Sequence, residues 1–104
     1  MSPFLLTEAR VQEALKQVYD PELGVNVVDL GLIYGIAIQD KQVRVTMTLT
    51  TAGCPLHDSL SEAVQSAIKY TVPEVDSVIV DMVWEPAWSP DRMTEAGKRE
   101  LGWG

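Results

Sequence analysis

The residues able to do chemistry gather in two short stretches, Gly53-Cys54-Pro55-Leu56-His57 and Asp20-Pro21-Glu22. Cys54 is the only thiol and His57 the only imidazole among 104 residues. Proline is well tolerated at the first helical position, so Pro55 places Cys54 at a helix N-cap. Backbone N–H groups there lack intrahelical partners and the helix dipole is positive, which favours thiolate, the form that attacks electrophiles and binds metals. Gly53 lets the backbone bend and lets another group approach closely. A lone cysteine is also often a small buried hydrophobe, but an N-cap is seldom sealed inside a core. His57, three residues on, could act as base to the thiol with Asp58 orienting it. The other reading is an exposed first-turn histidine, with Asp58 complementing the dipole. In the second stretch Pro21 restrains two carboxylates. Asp20 and Glu22 are either an Asx-type turn with a solvated glutamate, or a pair placed to bind a metal or a partner's cation.

Counting ligands restricts the metal reading. A closed structural zinc site wants four Cys or His ligands, and the chain has two in total. An iron–sulfur cluster is normally held by four thiolates; one chain offers one, and a symmetric dimer would offer two. Iron or a cluster held here must therefore borrow ligands from a second subunit, a client protein, a small thiol, or Asp20 and Glu22. Such a site is labile, which suits a transfer intermediate better than an enzyme cofactor. There is no phosphate-cradling glycine loop and no second histidine, so an acyl- or phosphoryl-transfer apparatus is not in evidence.

Composition sets the remaining bounds. The length fits one domain, residues 1–104, with a tail from 85 to 104. A single cysteine excludes an intrachain disulfide framework and suits a reducing cytoplasm. Neither a signal peptide nor a membrane-spanning apolar run is expected. A net charge of −7 repels nucleic acid, leaving proteins, metals or small molecules as partners.

The elements that must position these residues follow from periodicity. Thr7 caps a first helix whose Val11, Ala14, Leu15 and Val18 form one stripe, closing near Val18 or Tyr19 before Pro21. Asp20 to Gly24 reads as a turn, with Gly24 free to take a positive φ. Val25–Leu30 connects to a strand from about Leu32 to Gln39, and Asp40-Lys41 turns the chain into a second strand. There Val43, Val45, Met47 and Leu49 alternate with Arg44, Thr46, Thr48 and Thr50. A second helix runs from Cys54 to about Tyr70, with Leu56, Leu60, Ala63, Val64, Ala67 and Ile68 on one face and Pro73 as the stop. A third strand spans Ser77 to Trp84. The order α-β-β-α-β predicts a two-layer α/β (α+β) domain, a small three-stranded sheet with the helices on one face. If the third strand lies beside the second, that pair is parallel. Ser89 and Pro90 open a short terminal helix that Gly102 stops. Trp84, Trp88 and Trp103 either cover the open side of the sheet or form a partner or dimer surface.

Asp20-Pro21-Glu22, Asp29-Leu30-Gly31-Leu32-Ile33-Tyr34, Met47 to Pro55, and Trp88-Ser89-Pro90-Asp91-Arg92-Met93-Thr94 with Gly97 together resemble the SufT/PaaD-like family, formerly domain of unknown function 59. The resemblance covers essentially the whole chain. It implies a fold like the iron–sulfur cluster assembly domains and a role in maturing iron–sulfur proteins. The family's reactive cysteine maps onto Cys54 and its acidic motif onto Asp20 and Glu22. PaaD-type members, tied to a phenylacetyl-CoA oxygenase, continue into a cysteine-rich extension. This sequence stops at Gly104, which favours the minimal SufT-like type.

The expectation is thus a non-enzymatic cytoplasmic accessory factor of iron–sulfur protein maturation. Cys54, Asp20 and Glu22 meet the metal, Thr50, Thr51 and Gly53 shape the pocket, and His57 and Trp88 contribute to binding. The cofactor is a labile cluster or iron shared with a second subunit or partner. The partners are the assembly machinery, client apoproteins and a second copy of the chain. The rival is an adaptor related to the PaaD-type accessory proteins, without metal chemistry, acting through its tryptophan tail.

Overall fold

The structure, a computed structural model, describes residues 7–20, 23–49 and 57–102. Along the chain lie α1 (Glu8–Leu15), β1 (Ile33–Gln39), β2 (Gln42–Met47), α2 (His57–Thr71), β3 (Ser77–Met82), a 3₁₀ turn (Pro90–Arg92) and α3 (Glu95–Glu100). The strands form one sheet in the order β1-β2-β3, antiparallel between β1 and β2 and parallel between β2 and β3. That is the expected mixed three-stranded α+β arrangement, with α2 as the crossover that a parallel pair requires.

The core grows from the alternation read in the sequence. Val43, Val45 and Met47 are fully buried, and their β3 partners Val78, Val80 and Met82 point the same way. α1 contributes Val11, Ala14 and Leu15, and α2 contributes Leu60, Val64 and Ile68, to the same hydrophobic cluster. Ala63, expected on the buried face of α2, is exposed. The buried stripe is narrower there, and Leu60, Val64 and Ile68 at i, i+4 and i+8 fill it.

Two helix ends differ from expectation. Thr7 does cap α1, accepting the Arg10 N–H at 3.2 Å. The helix stops at Leu15 rather than near Val18: the Gln17 and Val18 N–H groups go to carbonyls three residues back, Ala14 and Leu15, and Tyr19 then bridges Asn26. The single terminal helix expected from Ser89 is in fact two pieces. Met93 is extended (ψ 145°) after the 3₁₀ turn, and Thr94 caps a separate α3 by accepting the Gly97 N–H. Gly102 takes a positive φ (76°) just beyond α3, as a helix stop should. No helix among the described residues is long and apolar enough to cross a membrane.

Candidate functional site

Four hydrogen bonds tie the acidic turn to the end of β2. The Asp20 N–H donates to the Val25 carbonyl, Val27 N–H to Val18, Leu32 N–H to Val27, and Thr48 N–H to Leu32 (2.9 Å). The turn is closed from within: Gly24 (φ 70°) donates to the Asp20 carbonyl at 2.7 Å, and Asp20 Oδ1 accepts the Leu23 N–H at 3.1 Å. Asp20 is only 4% exposed, so a carboxylate is buried in the turn it shapes. This ladder places the Asp20–Gly24 turn and the last described residues of β2's exit, Thr48 and Leu49, at one end of the sheet.

The expected site residues Glu22, Thr50, Thr51, Gly53 and Cys54 lie outside the described residues, as does the expected N-cap geometry at Cys54. His57 is the first described residue of α2, and Asp58 beside it is exposed in the first turn. Among the described residues no group of three His, Cys, Asp or Glu side chains is placed to hold a metal ion.

Trp88 is half-buried against the core and donates its indole N–H to the Leu30 carbonyl at 2.6 Å. It opens a second feature at this end, missed as an ensemble by the sequence reading: a clasp between residues 26–34 and the tail. Asn26 Oδ1 accepts the Val28 and Asp29 N–H groups, while its amide donates to Asp29 Oδ2 at 2.7 Å. Thus oriented, Asp29 receives Thr94 twice, its carbonyl from the Thr94 N–H (2.9 Å) and its Oδ1 from the Thr94 hydroxyl (2.9 Å). The one hydroxyl donates to Asp29 and accepts from Gly97, so both its capacities are used.

Two glycines permit this approach. A Cβ on Gly31 (φ 77°) would stand 2.2 Å from the Arg92 carbonyl oxygen, and one on Gly97 2.6 Å from that of Asp29. The register shift between Ile33 and Gly35 makes Tyr34 an extra residue in β1. Such a bulge re-aims a side chain. The Tyr34 hydroxyl donates to the Pro86 carbonyl at 2.7 Å, and the Arg92 guanidinium lies 4.6 Å from the centre of its ring. The sequence clues were the polar Asn26 and Asp29 inside an apolar run, and Thr94 three residues before Gly97.

Residues 8–81 match the model of the family described as "Iron-sulfur cluster assembly protein". The chain belongs to that family. It is 45% identical over 100 residues to an "Fe-S protein maturation auxiliary factor" of Porphyromonas gingivalis, covering 95% of this chain and 94% of that one. It is 40% identical over 86 residues to the "Fe-S protein maturation auxiliary factor SufT" of Staphylococcus aureus, covering 82% and 97%. Among solved structures, a domain of unknown function (DUF59) from Bacillus anthracis superposes with a TM-score of 0.87 at 40% identity, over 91% of each chain. The SufT-like resemblance and the fold expected from it are both borne out. The tail half of the clasp, from Pro86 to Gly97, lies beyond the segment that matches the family model.

Proposed function

We propose that this chain is an accessory factor of iron–sulfur protein maturation, acting in the cytoplasm by ligation and hand-over rather than by catalysis. The observation that carries this is the near end-to-end similarity to proteins named as Fe-S maturation auxiliary factors. In this reading the cargo is iron or a labile cluster. Cys54 supplies the thiolate, and Asp20 and Glu22 supply carboxylates from the adjoining turn, with Asp20 Oδ1 already engaged by the Leu23 N–H. Thr50, Thr51 and Gly53 shape the approach and His57 borders it. The backbone ladder from Asp20 to Thr48 supports this grouping, since it holds the acidic turn beside the strand exit that leads toward Cys54. One thiol per chain leaves the coordination incomplete. The remaining ligands come from a second copy, a client apoprotein or the assembly machinery, which keeps the cargo transferable.

The decisive experiment is complementation in cells lacking the factor. Cys54→Ser is expected to fold with an unchanged melting temperature and to lose client maturation; full client activity in that variant would overturn the reading. Trp88→Ala distinguishes the adaptor reading, in which the tail variant loses more client activity than Cys54→Ser.

A further inference from the structure

Of the four arginines, three pair with carboxylates: Arg10 with Glu74, Arg44 with Asp81 at 3.2 Å, and Arg99 with Glu95 at 3.8 Å. Arg92 pairs with none of the described carboxylates; its guanidinium is stacked on the Tyr34 ring instead. Much local structure serves this placement. A bulge presents the ring, the Pro86 carbonyl anchors its hydroxyl, and Gly31 gives the Arg92 backbone room to lie flat against β1's approach. An arginine so stacked keeps its N–H edge free and its charge unneutralised, on a molecule whose net charge is −7. Gly31, Ile33, Tyr34, Pro86 and Arg92 line an open cleft of 410 Å³, within the size range of small-molecule sites. It opens at the carboxyl ends of the parallel strands β2 and β3, where ligands of open α/β sheets usually bind.

We propose that this cleft binds a small monocarboxylate, its carboxylate held in the fork of Arg92 and its hydrocarbon part against Ile33 and Pro86. Among the described residues a single cation, Arg92, lines the cleft, which matches one negative charge. Phosphate carries about −1.5 to −2 at neutral pH and would be left partly uncompensated. The apolar walls have no use for a ligand that is charged all round. The site stands independently of the role given to Cys54.

Hexanoate is the probe, titrated into the full-length protein and followed by amide and arginine side-chain NMR. Saturable shifts are expected at Gly31, Ile33, Tyr34 and Arg92, with at least a tenfold weaker affinity in Arg92→Gln and an intermediate loss in Arg92→Lys. Hexanol at the same concentration should leave these signals unmoved, and phosphate at matched ionic strength should not displace hexanoate. Equal binding by Arg92→Gln, equal binding of hexanol, displacement by phosphate, or no saturable shift would each overturn the proposal. Should Arg92→Gln fail to fold, Tyr34→Phe decides. It keeps the charge and the ring but loses the Pro86 anchor, and undiminished binding there counts against the preorganised site.

Discussion

The two ends of the sheet are built on different principles. At one end a two-residue turn, Asp40-Lys41, joins β1 to β2, and the Asp76 N–H donates to the Lys41 carbonyl at 2.8 Å to start β3 alongside. Its one conformational demand is φ 55° at Asp40, a residue that tolerates the left-handed region. At the other end the chain makes an acidic turn, a four-bond ladder, a bulge and a clasp that holds backbones closer than any Cβ allows. Connecting two strands needs only the first kind of end. The second kind fixes several loops relative to one another, which is what a site assembled from separate segments needs.

Breaking the elaborate end should therefore cost far more than altering the simple one. Gly31→Ala is the most severe case, since the added carbon meets backbone rather than a movable side chain and the φ is unfavourable for alanine. A loss of about 3 kcal/mol in denaturant unfolding is expected, with accelerated amide exchange throughout α3. Thr94→Val removes the cap and the Asp29 bond together, for about 1–2 kcal/mol, and Thr94→Ser should retain most of that. At the opposite end, Asp40→Gly should shift stability by less than about 0.5 kcal/mol, because glycine adopts the same φ freely. Comparable losses from Thr94→Val and Asp40→Gly would erase the distinction between the two ends.

Local pattern made the simple end readable. The alternation of Val43, Val45 and Met47, the Asp40-Lys41 turn and the stop before Pro73 all report on neighbours in sequence. So does the Asp20 to Gly24 turn, whose closure follows from the residues it contains. The clasp is legible only as separate motifs, because its bonds join residues 58 and 65 positions apart and no periodicity encodes them. The same reason explains the end of α1. Val18 continues the apolar stripe and is buried as the stripe demands, yet its N–H goes three residues back to Leu15 and Tyr19 bridges Asn26, so tertiary pairing prevails over helical propensity. In the tail, Ser89-Pro90 was a sound helix opening that yields a 3₁₀ turn alone. Met93 is drawn into the core, and the helix restarts from Thr94.

The pairing of Asp29 with Thr94 also bears on biogenesis. A ribosome delivers the amino-terminal segments first, so Asp29 and Leu30 emerge well before the tail that pairs with them. The Leu30 and Asp29 acceptors must wait for Trp88 and Thr94, donors made 58 and 65 residues later. A nascent polypeptide thus passes through a stage in which this end of the sheet is unfastened, and emergence of the tail is the event that allows it to lock.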